Sequence, residues 1–345
     1  MKSNNNIIKR SIISIIIFIL FVILVFYFIF KENDLRKLYI ILKSSQKIYL
    51  LLAFFCMACF SICEALNLKT TLKLLGDKVS FLNAYKYALS GFFVSSITPS
   101  SSGGDPMQLY LMTKDSIQVS HGVITLLVKL LVFQFVSILI SLIGFLTSYN
   151  FFQDSLGSIR YLIYLGMFLN FLVFSLYFSI IFCKPIITFL VKLLEKSLKK
   201  LHYKKREQLI LKLSSQVEEY SKAVSFLKEH KLFFLKIILI TAIQMLLYYS
   251  VPYFVYLSFG DASYSIFKFI SIQSVLFISV SSLPFPGAVG ISEAAFMHLY
   301  KKIYKPVILG SAMVITRFIN FYIFVLYSGL VLAIVLLKGN LKKKS

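Results

Sequence analysis

Unbroken apolar runs dominate the chain. Residues 11–30 (SIISIIIFILFVILVFYFIF) carry no charge, and comparable runs follow at about 48–68, 119–147, 159–183, 232–258 and 306–337. Each reaches the roughly 20 residues that an α-helix needs to cross a bilayer's hydrocarbon core. None alternates with the two-residue period of a barrel strand. Six membrane-spanning helices are predicted. The first run reads as a span rather than a signal peptide, being long for a signal core and ending in Lys31-Glu32-Asn33-Asp34 without a small-residue cleavage site.

Two shorter apolar segments depart from this pattern. Residues 80–97 and 265–283 each run into a cluster of Pro, Gly and Ser, first TPSSSGGDP at 98–106 and then PFPGAVG at 284–290. The segments that follow, 107–118 and 291–305, are too charged to cross lipid. Irregular backbone at membrane depth survives only where protein covers it or water reaches it. Both segments therefore read as re-entrant hairpins. The fold class is all-α, a polytopic integral membrane protein of about six spans plus two re-entrant helical hairpins broken by Gly and Pro. Residues 1–345 make a single transmembrane domain.

Charge orients this arrangement. The formal net charge is +23, from 37 Lys and Arg against 14 Asp and Glu, and the basic residues gather in loops and at the termini. That distribution fits the anionic leaflet surface and the positive-inside rule, and no nucleic acid partner is expected. Residues 184–231 hold 12 Lys or Arg against 5 Glu, and Ile187, Leu190, Leu194, Leu198 and Leu201 share one face there. This stretch is predicted to be a cytosolic basic helical hairpin between the two halves, either solvated on the lipid surface or docking a partner protein. N- and C-termini are then cytoplasmic, at the price of placing residues 31–47 and Lys301, Lys302 and Lys305 outside.

Little else points to cofactor chemistry. Cys56, Cys59 and Cys63 lie within an apolar helix and behave there as small packing residues. His121, His202, His230 and His298 are scattered, and there is no P-loop. No cofactor or metal is expected.

The two Gly/Pro clusters correspond in order. Ser95-Ser96-Ile97-Thr98-Pro99, followed by Gly103-Gly104-Asp105, parallels Ser281-Ser282-Leu283-Pro284, followed by Gly287, Gly290 and Glu293. Asp105 precedes Lys129 by 24 residues and Glu293 precedes Arg317 by 24. The first hairpin opens to the cytoplasm and the second to the outside, an inverted-topology repeat of the kind that marks a transporter's midplane site. Each ionisable group deep in a span costs about 2.5–3.5 kcal/mol, so Glu64, Asp105, Lys129, Glu293 and Arg317 must pair or face water. They are read either as buried pairs that neutralise one another or as a polar path for a charged headgroup. Asp105 before Pro106 has the pattern of a helix N-cap, which would leave free amides on Gly103-Gly104. Arg317 and Asn320 share a helix face.

At these clusters the chain resembles the lysylphosphatidylglycerol-synthase transmembrane-region family of flippase-like membrane proteins. Thr98-Pro99, the run Gly103-Gly104-Asp105-Pro106-Met107-Gln108-Leu109-Tyr110 and the run Pro284 to Glu293 carry the resemblance. Asp105 and Ile291 stand where the family usually has Gln and Gly. The resemblance implies a lipid-handling role in the bacterial cytoplasmic membrane, with membrane lipids and envelope-synthesis proteins as partners. The soluble domain that makes lysylphosphatidylglycerol in fused members is not expected in this chain. The expected substrate path runs along Thr98, Pro99, Gly103, Gly104, Asp105, Gln108, Tyr110 and Lys129 in the first half. In the second it follows Pro286, Gly287, Gly290, Glu293, Arg317 and Asn320. The expected function is lipid translocation of an aminoacyl-phosphatidylglycerol, another phospholipid or a polyprenyl-phosphate-linked lipid. The alternatives are a phosphatidylglycerol lysyltransferase, for which 184–231 offers too small an extramembrane surface, and an accessory role in envelope lipid metabolism.

Overall fold

The computed structural model describes residues 35–155, 160–182, 222, 224–226, 229–283 and 285–341. The expected first span at 11–30, nearly all of the basic stretch 184–231 and the end of the Lys-rich tail lie outside these residues.

Every described element is helical. A short helix α1 (Leu35–Ser44) leads into α2 (Lys47–Leu74). The first hairpin follows as α3 (Phe81–Ile97) and α4 (Gly104–Lys114). Then come α5 (Val119–Thr147), the short α6 (Tyr149–Ser155) and α7 (Arg160–Phe182). After the basic stretch the chain continues as α8 (Lys231–Ser258), and the second hairpin is α9 (Ile266–Val280) with α10 (Ile291–Leu299). The last span is α11 (Pro306–Arg317), a π-helical turn at Phe318–Tyr322 and α12 (Ile323–Leu341).

Five of these helical stretches, Lys47–Leu74, Val119–Thr147, Arg160–Phe182, Lys231–Ser258 and Pro306–Leu337, are long and apolar enough to cross a membrane. They match the sequence expectation to within a few residues. Their outer faces keep large apolar side chains exposed, such as Phe168, Phe171 and Leu172 on α7 and Leu239 and Ile243 on α8. Lipid is the solvent such surfaces require. The protein is an all-α polytopic membrane protein.

Both broken segments fold back on themselves. At the open end of the first hairpin, Lys86 Nζ and the Tyr87 hydroxyl on α3 reach Asp115 just past α4, at 2.5 and 2.6 Å. Across the second, the Phe269 ring on α9 lies 5.7 Å from that of Tyr300 just past α10, and Tyr300 donates to Gln273 at 3.1 Å. The two open ends lie at opposite ends of α2, a helix about 42 Å long at 1.5 Å per residue. The C-terminus of α2 leads into the first hairpin, beside the Asp77–His121 contact at 2.8 Å. At its other end Gln46 N donates to Ser258 O, on the approach to the second hairpin. The tips, the 3₁₀ turns Pro99–Ser101 and Pro286–Ala288, meet in between.

Local chemistry explains the breaks. Thr98 precedes Pro99 and is driven out of the helical region, to φ −109° and ψ 145°. Its hydroxyl donates to Val94 O and accepts from Gly103 N, closing off the end of α3. In the second tip Gly287 and Gly290 take φ of +57° and +86°, which suit glycine. Elsewhere α9 lies against the backbones of its neighbours. A Cβ on Gly144 of α5 or Gly166 of α7 would fall 2.8 and 2.5 Å from the Cα atoms of Ser271 and Ser279, the close approach that small residues permit between membrane helices.

Candidate functional site

The two expected acid–base pairs form. Lys129 Nζ on α5 donates to Asp105 Oδ1 in the first turn of α4 at 2.7 Å, and Arg317 Nε at the end of α11 donates to Glu293 Oε1 in the first turn of α10 at 2.7 Å. In each half the acid stands just past the hairpin tip and the base comes from the next span.

Their surroundings differ. Lys129 is shared: Glu64 Oε1 on α2 lies 3.3 Å away and Gln108 Oε1 accepts from it at 3.0 Å. The far oxygen of Glu64 accepts from Gln244 on α8, whose carbonyl lies 3.4 Å from the amide of Asn67, itself a donor to Thr241. A chain of polar side chains thus crosses the α2–α8 interface. Glu64 and Asp105 place two carboxylates against one ammonium. Arg317 instead holds the second tip, because Nη2 donates to Gly287 O at 3.1 Å and the guanidinium lies 4.5 Å from the Phe321 ring centroid. Glu293 uses its other oxygen to accept from Gly290 N at 2.7 Å, capping α10.

Asp105, Lys129 and Arg317 border one cavity of about 690 Å³ between the hairpin tips, and Glu293 joins it only through Arg317. That size suits a ligand headgroup. Its wall includes Asp105, Gln108, Lys129, Gly287, Arg317 and Asn320, together with Glu64, which the sequence reading left outside the path. The rest is aromatic, aliphatic and small polar, with Phe133, Tyr248 and Phe277, Leu130, Met245 and Leu276, and serines near both tips such as Ser95, Ser101, Ser281 and Ser282. Thr316 and Asn320 present a hydroxyl and an amide oxygen, both buried, with no hydrogen-bond partner among the described residues. Each such unsatisfied group costs about 1–3 kcal/mol.

A single sequence family covers this architecture. Residues 11–328 match the family model described as the lysylphosphatidylglycerol synthase TM region. The chain belongs to that family. It is also similar to a UPF0104 membrane protein of Archaeoglobus fulgidus, 23% identical over 318 residues that make up 91% of this chain and 95% of the relative. The family match spans both hairpins and both ion pairs, so the cavity lies inside the shared region.

Other expected path residues stand apart from the cavity wall, Glu293 among them, since it meets the cavity only through Arg317. Tyr110 is 51% exposed on the outer face of α4, and Pro286 and Gly290 are exposed at the second tip. Thr98, Pro99, Gly103 and Gly104 build the first tip instead of lining the space. Asp105 is not a helix cap either. Gly103 occupies the N-cap position, and its amide is taken by Thr98, so the expected free amide is absent there. The Asp105 carboxylate turns to Lys129, since an ammonium in low dielectric draws it more strongly than a backbone N–H does. Gly104 has a packing role, for a Cβ there would lie 2.7 Å from Gly91 O and run into Ser95 Oγ.

Sequence reasoning also missed a polar cluster on the third wall. Gln134 on α5 donates to Asn170 on α7, Asn170 donates to Ile278 O on α9, and Ser281 donates to Asn170 Oδ1. The signal was present, since an Asn and a Gln in otherwise apolar spans must be satisfied by a neighbouring helix.

Proposed function

We propose that the protein translocates lipid, with the polar headgroup passing through the cavity between the two hairpin tips while the acyl chains stay in the bilayer. One arrangement supports this reading. Two hairpins open at opposite ends of the molecule, their tips touch, and each half brings charge to one shared cavity, Asp105 with Lys129 in the first and Arg317, tied to Glu293, in the second. Broken helices entering from opposite sides give a site that either end can reach when one tip moves, the geometry that alternating access needs. A purely structural fold has no use for four charged side chains, Glu64, Asp105, Lys129 and Arg317, around a cavity at membrane depth, each costly to insert.

Orientation follows from charge. α7, before the stretch 184–231, ends and α8, after it, begins at the end where the first hairpin opens, because the Phe182 and Phe234 rings lie 6.5 Å apart there and α8 runs antiparallel to α2. That end is assigned to the cytoplasm on its excess of Lys and Arg, with both termini on the same side of the cytoplasmic membrane.

The test is reconstitution. Purified protein in liposomes that carry an acyl-labelled phospholipid should speed the exposure of inner-leaflet label to dithionite relative to empty liposomes. Rates equal to those of empty liposomes across anionic, zwitterionic and aminoacylated phospholipids would refute the reading.

A further inference from the structure

Two buried acceptors flank Arg317. Thr316 Oγ1 and Asn320 Oδ1 have no hydrogen-bond partner among the described residues, the two residues are 1% and 3% exposed, and both border the cavity. Buried polar atoms are nearly always satisfied, so each unpaired one calls for a cause. The helix itself does not provide it. A helical Thr hydroxyl ordinarily returns to the carbonyl four residues back, as Thr71 and Thr147 do in this protein, whereas Thr316 does not. Asn320 sits within the π-helical turn Phe318–Tyr322, an element frequent at functional sites, and its amide oxygen can only accept.

Arg317 supplies the complement. Its Nε is committed to Glu293 and one Nη2 hydrogen to Gly287 O, while Nη1 has no acceptor among the described residues. Within about one helical turn the wall therefore offers spare N–H donors and two spare oxygen acceptors. A bare phosphate would take the N–H donors and the Thr316 hydroxyl proton but leave the Asn320 amide oxygen unpaired, because all its oxygens accept. An ammonium could donate to Thr316 and Asn320, but it would sit against the guanidinium, and both oxygens of Glu293 are already engaged. Alcohol groups next to a phosphate meet both needs without adding charge.

We propose that Thr316 and Asn320 form a subsite for the hydroxyl groups of a polyol-phosphate headgroup, beside a phosphate held by Arg317. This rests on the translocation reading of the cavity. Both oxygens are shielded from water here, and Phe321, the next residue, packs against Gly287 of the tip, so the headgroup reaches them as that tip lifts away.

The experiment compares acyl-labelled phosphatidylglycerol with phosphatidylmethanol, which has the same phosphodiester charge and no hydroxyl, in proteoliposomes of the full chain. The wild type should move phosphatidylglycerol about fivefold faster or more, the effect of one or two hydrogen bonds. In the Thr316→Val, Asn320→Leu double variant that rate should fall to the phosphatidylmethanol rate. Equal wild-type rates for the two lipids, with both transported, would overturn the subsite and leave translocation standing. If neither lipid moves, translocation fails and binding decides the subsite. Phosphatidylglycerol should then raise the wild-type Tm in detergent more than phosphatidylmethanol does, and equal shifts would overturn it.

Discussion

Arg317 Nε donates to Glu293 Oε1 at 2.7 Å, tying the last long span to the hairpin before it. Lys129 and Asp105 repeat the relationship at the same distance and the same separation of 24 residues, with one difference. Arg317 meets one carboxylate, whereas Lys129 meets two, Asp105 and Glu64.

That difference predicts unequal costs of mutation. Asp105→Asn leaves Lys129 with Glu64 and should destabilise by about 1–2 kcal/mol, near the value of one charged hydrogen bond. Lys129→Gln strands two carboxylates and should cost about 3–5 kcal/mol. Thermal unfolding of the purified variants in detergent should therefore rank Lys129→Gln well below Asp105→Asn. The reverse order would mean that Glu64 does not share the ammonium.

The two tip glycines should respond differently. Gly104→Ala drives a methyl into Ser95 and the Gly91 carbonyl inside the first hairpin, so expression and Tm should both drop. Gly290 has open space around its missing side chain but a φ of +86° and ψ of −52°, near the strained classic γ-turn, so Gly290→Ala should cost only that backbone strain, about 1–3 kcal/mol. Matched melting curves check this, and equal losses would contradict it.

Asp115 provides a pH prediction outside the spans. Burial pushes its carboxyl up, but hydrogen bonds from Lys86 and Tyr87 and the nearby Lys86 and Lys114 charges outweigh that and hold it below the usual carboxylate range. A carboxylate lowered in the folded state contributes stability that is complete above its unfolded value and is lost as pH falls through its folded value. The contact is half exposed, so the effect should stay below about 1 kcal/mol. Tm measured against pH should fall more steeply on the acid side for the wild type than for Asp115→Asn, and parallel curves would refute the assignment.

Much of this was legible in the chain because membrane helices leave strong signals. The five described spans were readable from apolar runs, and the partners Asp105–Lys129 and Glu293–Arg317 from their equal spacing beside the Gly/Pro breaks. The remainder depends on which helices become neighbours. Glu64 reaches Lys129 and Gln244 only because α2 packs along α8 and α5, and Gln244 is 180 residues from Glu64. The cap at Asp105 was misread because a local pattern gave way to a distant ammonium. The contact between the tips leaves no trace in composition at all.

Sidedness can be read with introduced cysteines in a background without native ones. Lys114→Cys lies at the open end of the first hairpin and Ala262→Cys at that of the second, both exposed. An impermeant maleimide added to intact cells should label position 262 and spare position 114 until the membrane is permeabilised. Labelling of 114 in intact cells would invert the proposed orientation.

The measurement closest to the central claim is translocation by paired charge-removal variants. In Glu293→Gln, Arg317→Gln both members of the pair become neutral and much of the stability lost by the worse single substitution should return, whereas Asp105→Asn, Lys129→Gln still leaves Glu64 without its ammonium and should recover less. If these groups serve a headgroup, both double variants should insert, melt cooperatively and yet move labelled phospholipid no faster than empty liposomes. The loss should be more complete for the Arg317 half, since a guanidinium holds phosphate in bidentate fashion while an ammonium acts as a point charge. A stable double variant that translocates at the wild-type rate would contradict the account and reduce that pair to a structural tie.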